Sequence, residues 1–236
     1  MRIDVRPARG SIALLVRALG AALAVGAPIM LHAQAPTTDA SATGASLPAA
    51  LRATVDRLAD SARVLGVPPE PLYLKAAEGV LKGASNERVG VVVARLLAEL
   101  REARRGLGTD VTIAELVAGA SVVHAGMDAA TLQRVRAARR DARTGNSLVM
   151  PLVVLADLVA RRVTPDIATA SVTALAARGA ADEEFADLRS TVEQAIGRGS
   201  PPDAATRART AILLRGPRAD VRRQGPPSPL DSRPHP

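Results

Sequence analysis

The stretch GVPPEPLYLKAAEGVLKGAS, residues 66–85, has glycine near both ends, at Gly66 and Gly83, and each of these is soon followed by an acidic residue and an apolar run. The same return recurs further along. Gly108, Gly126, Gly145, Gly179 and Gly199 continue it, Arg162 stands where one more glycine would fall, and the spacings are 17, 25, 18, 19, 17, 17 and 20 residues. Glycine suits the left-handed residue just past a helix end, because no Cβ clashes there. The residues after each mark carry helix-start chemistry. Thr164 reads as an N-cap with Pro165 in the first helical position, and Ser200, Pro201 and Asp203 repeat that order. Thr112 and Glu115 have capping-box spacing, while Ser85, Asp128 and Asp182 read as further caps. Each glycine therefore ends one short helix, and the next few residues begin another.

The apolar spacing between the marks agrees. Leu51, Val55, Leu58, Ala62 and Leu65 recur at helical intervals, as do Phe185, Leu188, Val192 and Ile196. Val89, Val92, Val93, Leu96, Leu97 and Leu100 form the strongest stripe. LVMPLVVLADLVARR, residues 148–162, is apolar nearly all round and predicts a central buried helix, with Pro151 in its first turn, where its missing N–H costs nothing. No period-2 alternation or hairpin turn accompanies these segments, so the expected fold class is all-α, with eight to nine short helices. Two helices per unit give a period of about 35–37 residues, the range of helical-hairpin repeats. The aromatic positions that mark tetratricopeptide units are missing, and an irregular bundle is the alternative to a repeat array.

The ends differ from the body. Arg2, Arg6, Arg9 and Arg17 precede the apolar run ALGAALAVGAPIML (residues 18–31) and then small residues, the order of a secretory signal peptide over residues 1–33. Cleavage after Ala33 is preferred to Ala35, because Pro36 would directly follow the latter; retention as an anchor is the alternative. A flexible leader (34–49), one helical domain (50–214) and a disordered Arg/Pro-rich tail (215–236) follow, with no transmembrane span expected once the signal is removed. The expected location is periplasmic or extracellular. Residues 34–205 hold 20 basic and 20 acidic side chains, so the net charge of +8 belongs to the two ends. The basic residues are 29 Arg and only 2 Lys, a bias that fits a GC-rich genome better than phosphate recognition. With no cysteine, no disulfide can brace the fold. Tyr73 and Phe185 are the only aromatic residues, so the core must be built from Ala, Val and Leu, with close helix packing compensating for small side chains.

The residues point away from catalysis. After cleavage only His124 and His235 remain, and with no cysteine a metal centre is not expected. His124 stands near a helix C-terminus, where the helix dipole favours its cation. No nucleophile elbow, P-loop or dinucleotide fingerprint occurs. Glu183 and Glu184 fall in a helix first turn and read as dipole-stabilising residues. No cofactor is expected.

One basic segment stands out, LQRVRAARRDAR, residues 132–143. Arg136, Arg140 and Arg143 share a helical face with Arg139 beside them, a candidate interaction surface. Two functional classes follow. The first is an exported, non-enzymatic helical protein that presents an interaction or scaffold surface to an envelope protein. The second binds anionic envelope polymers or lipids through the arginine face and the basic tail. Nucleic acid is not an expected partner, since no aromatic side chains interleave the arginines for base stacking.

Overall fold

The computed structural model describes residues 47–141 and 147–216. Nine helices make up 79% of these residues and no strand occurs among them, which settles the all-α class. They are α1 (Ala49–Val64), α2 (Glu70–Leu81), α3 (Asn86–Leu107), α4 (Ile113–His124), α5 (Ala129–Asp141), α6 (Val149–Ala160), α7 (Pro165–Arg178), α8 (Asp182–Gly197) and α9 (Pro202–Arg215). The expected signal peptide, most of the leader, Arg143, Gly145 and the tail beyond Gly216 lie outside the described residues. The chain enters the core at Leu47, which is buried just before α1 begins.

The punctuation works as the spacing predicts. Gly66, Gly83, Gly108, Gly126, Gly179 and Gly199 all have positive φ, and so does Arg162, at 67°. Arg162 is the one non-glycine residue in that region among the described residues. At Gly108 the φ of 76° and ψ of −168° belong to a region open essentially to glycine alone. At the helix starts, Ser85 Oγ accepts from the Arg88 N–H, and Thr112 and Glu115 form the full capping box. Asp128 Oδ1 accepts from both the N–H and the hydroxyl of Thr131, at 2.9 and 2.8 Å. Two starts depart from expectation by one residue: Pro201 and Ala181, rather than Ser200 and Asp182, precede α9 and α8.

Stacking has a period of two helices. The odd-numbered helices form one row, with α1 on α3, α3 on α5, α5 on α7 and α7 on α9. In the second row α4 packs on α6 and α6 on α8, while α3 with α4, α6 with α7 and α8 with α9 join the rows. The strongest apolar run becomes the interior of this array. α6 touches α4, α5, α7 and α8, and no side chain along it is exposed before Ala160.

Leucine supplies most of the core volume. Leu100, Leu107, Leu132, Leu152, Leu155 and Leu158 are among those fully buried, and full burial of each contributes about 1.5–3 kcal/mol before entropy is subtracted. Close approach comes from glycine inside helices as well as from alanine. A Cβ at Gly106 would stand 2.7 Å from the Ala129 carbonyl oxygen, so α3 and α5 meet almost backbone to backbone. Gly119 and Gly79 give the same intimacy to α4 against Leu107 and to α2 against Val89.

Carboxylates tie stacked neighbours together. Glu102 of α3 accepts from the Ala129 N–H at the start of α5, at 3.1 Å. Glu115 of α4 uses one oxygen for its own capping box and the other for the Leu148 N–H just before α6, at 2.8 Å. Burial of Glu115 opposes its charge, but the backbone N–H groups of Leu148 and Thr112 outweigh that and lower its pKa. Asp203 of α9 accepts from the N–H and hydroxyl of Thr164, at 2.8 and 2.6 Å. Thr164 was expected to cap α7 with its own hydroxyl; instead that hydroxyl donates to Asp203, and the cap comes from α9.

Candidate functional site

Of the four arginines of α5, one is buried, Arg136 is half-buried, and Arg134 and Arg140 are exposed. Arg139 is a correction to the expected solvent-facing cluster: only 4% of it is exposed. Its guanidinium donates to the Ala180 carbonyl at 2.6 Å, lies 3.4 Å from Asp182 Oδ1, and sits over the Phe185 ring at 5.4 Å. Burial pulls its pKa down, and Asp182 partly restores it. Arg139 therefore fastens α5 to the α7–α8 turn. The side chain of Arg136 is half-buried and lies against Gly108, the residue that ends α3. Cations are favoured at that end of a helix. Arg140 is exposed, and Arg143 lies outside the described residues. Heptad arithmetic puts these arginines on neighbouring positions; what it lacks is the turn before α8 that covers one of them.

The more open surface lies at the other end of the array. α2 packs on α1 and α3 but makes no contact with α4 comparable to those of α4 with α6, so the second row is interrupted. Tyr73 holds α2 to α1 through a 2.8 Å hydrogen bond to Asp56 Oδ1, and Gly79 lets it settle on Val89. α4 meets α3 further along, where Gly119 approaches Ala103 and Leu107 and His124 Nδ1 lies 2.7 Å from Glu99 Oε1. Positions 89, 103 and 107 share one side of α3 at helical spacing. Both second-row helices therefore lie on that side, α2 over the first half of α3 and α4 over the second.

A shallow cleft of ≈ 150 Å³ opens between α2 and α3, lined by Lys75, Glu78, Lys82, Arg88, Val89 and Val92, among others. Arg88, Val92, Arg95 and Glu99 follow one another at i, i+4, i+7 and i+11 and continue its floor along α3, beside half-buried Leu96. Val92, which lines it, is 41% exposed, and the same two helices carry exposed Leu74 at 52% and Leu81 at 88% on α2 and Val91 at 65% on α3. These are four of the ten large apolar side chains exposed among the described residues, so the apolar surface is concentrated here.

Charge is concentrated there too. Glu78 accepts from both lysines of the chain, Lys82 and Lys75, and their ammonium groups hold its pKa down to about 2. Glu99 Oε1 accepts from Arg95 Nε at 2.9 Å as well as facing His124. Both carboxylates are thus already engaged, while Lys75, Lys82, Arg88 and Arg95 outnumber them. The surface around the cleft therefore carries a local excess of positive charge. Among the described residues no three His, Asp or Glu side chains gather as a metal ion would require. His124, expected near a helix end, is the last residue of α4 and exposed. Of the paired acids, Glu184 accepts from the Ala181 N–H at the start of α8.

The cleft escapes sequence reading because its residues belong to ordinary amphipathic helices. One signal was present: both lysines of an otherwise arginine-dominated chain fall seven residues apart, with Glu78 between them. No helix among the described residues is long and apolar enough to cross a membrane. No protein-family model, no curated protein and no solved structure matches this chain.

Proposed function

We propose that this protein is an exported, non-enzymatic helical scaffold of the cell envelope that docks another protein on the surface formed by α2 and the first half of α3. The observation that carries the reading is the set of exposed Leu74, Leu81, Val91 and Val92 on α2 and the first half of α3, where a cleft opens and the second row is interrupted. Scattered exposed apolar side chains are ordinary; a grouped set rimmed by charge is characteristic of contact surfaces. The cleft lining also suits binding more than bond-breaking, since Lys75 and Lys82 both donate to Glu78. Export rests on the charge-then-apolar order of residues 1–33. The alternative, anionic polymer or lipid held by the α5 arginines and the basic tail, loses support on its helix face from Arg139 turned inward and Arg136 laid against α3.

A photo-crosslinking side chain placed at Leu81 or Leu74 in the producing cell tests the docking. Discrete protein adducts are expected there and not at exposed Ala160. Equal labelling at all three positions, or none, defeats the reading. For export, N-terminal sequencing of the envelope fraction should begin near Gln34, and intact Met1 in the cytoplasmic fraction would end that part.

A further inference from the structure

We infer that the occupant of this surface is an acidic amphipathic helix of a partner protein, which packs beside α2 over the first half of α3, where the second row is interrupted. The inference rests on the docking reading above and names the chemistry of what docks.

Three features converge. The first is architectural: helices stack on helices two places away throughout the array, and the step from α2 to α4 is where the second row lacks that contact. A helix is the element whose ridges fit grooves between helices. The second feature is apolar. Val92 and Leu96 offer a floor on α3, and exposed Leu74 and Leu81, seven residues apart, share the face of α2 next to the one that lines the cleft. A partner helix meets such a surface with apolar side chains at i, i+3 or i+4, and i+7. The third feature is charge. Lys75, Lys82, Arg88 and Arg95 surround the floor, and the carboxylates among them, Glu78 and Glu99, are each shared between two basic side chains. Glutamates on the flanks of an incoming helix find cations there, while lysines would be repelled. The basic tail of this same chain is for that reason the wrong occupant: beyond Arg215 it carries Arg218, Arg222, Arg223 and Arg233 against Asp220 and Asp231.

The test uses the full chain and a labelled synthetic peptide of about 18 residues, with leucines on one helical face and glutamates on the other. Fluorescence anisotropy should show saturable binding that weakens as salt rises. Binding should fall at least tenfold in K75E/K82E/R88E, and comparably in L81D, with circular dichroism unchanged in both. The charge-keeping K82R/R88K variant should bind like wild type, which separates lost charge from lost fold. A lysine/leucine peptide and a glutamate/serine peptide should each bind at least tenfold more weakly. Equal binding of either control peptide overturns the inference, as does unchanged affinity in the triple variant. So does capture of phosphatidylglycerol vesicles through the same residues with no peptide bound, which would make the surface a lipid site. If Leu81 crosslinks to a protein in cells while the acidic peptide fails to bind, docking stands and the acidic helix is wrong. If neither occurs, both fall.

Discussion

The two ends of the helical array use positive charge in opposite ways. From α5 onward, basic side chains reach across to other elements: Arg139 to the turn before α8, Arg161 to Glu193, Arg189 to Asp157 and Arg209 to Asp187. In α2 and the first half of α3 the cations stay near home. Lys75 and Lys82 engage a carboxylate on their own helix, as Arg95 does on α3. Local composition is similar, so the difference is one of placement. Where both rows are continuous, a neighbour stands within reach of these long side chains and their charge braces one element against another. Where the second row is interrupted, the same kind of side chain is left at the surface beside apolar neighbours.

Substitutions break or sharpen that contrast. The largest effect is expected at Arg139→Glu, which places a carboxylate against Asp182 and the Ala180 carbonyl in a buried site. A loss of at least about 3 kcal/mol in chemical denaturation is expected, against a change within about 0.5 kcal/mol for Arg140→Glu next door. Equal effects of the two changes would erase the distinction between buried and surface arginines.

Glu115→Gln comes next, with an expected loss of about 1–2 kcal/mol at neutral pH, because a neutral amide weakens the hydrogen bonds to Thr112 and Leu148. The pH dependence has a definite sign. The folded pKa of Glu115 lies below its ordinary 4.5, so its contribution is full above that value and is lost as pH falls through the folded value. The wild type should thus lose part of its advantage over Glu115→Gln on acidification below pH 4.5, and a gap that stays constant into strong acid would disprove the assignment.

Arg162→Gly should raise stability by a few tenths of a kcal/mol. The left-handed conformation costs a non-glycine residue about 1–2 kcal/mol, and the extra freedom of glycine in the unfolded chain returns only part of that. A fall in melting temperature would show that the Arg162 side chain has a role of its own. The smallest effect is expected at Lys82→Glu, within about 0.5 kcal/mol, because its partnership with Glu78 is exposed. A large loss there would mean that the α2 surface is structural.

Helix-scale features were legible in the sequence because they are local. Gly66, Gly83 and Gly199 announce helix ends by what they lack, and Thr112 with Glu115 announces a start by spacing alone. The buried character of α6 could be read from residues 148–162 without knowing its neighbours. The partners of Arg139 could not, since Ala180 and Asp182 lie about forty residues away, although its place seven residues after Leu132 and four after Val135 puts it on the apolar face of α5 and sets it apart from Arg140. The α2–α3 cleft stayed hidden for a related reason. It exists because α2 lacks a stacking neighbour, and a missing contact leaves no mark on the sequence of either helix. Gly106 and Gly119 were likewise silent: glycine within a helix reads as a weak point until the facing helix is known.

The carboxylates Glu102, Glu115 and Asp203 each hold the start of a helix two places away, and this bears on how the array comes apart. In a stacked protein, stability divides into the intrinsic term of each unit and the coupling between neighbours. A carboxylate that caps its own helix adds to the first, as one oxygen of Glu115 does; the links that these three make to another helix add to the second. They push unfolding toward one cooperative event and away from fraying inward from an end. The direction of the links matters as well. Glu102 and Glu115 reach forward along the chain, but Asp203 reaches back from the last described helix to Thr164 at the start of α7. Proteolytic loss of α9 would therefore not be confined to the terminus. It would uncap α7, past the whole of α8, and carry the damage to the helix on which α5 and α6 are stacked.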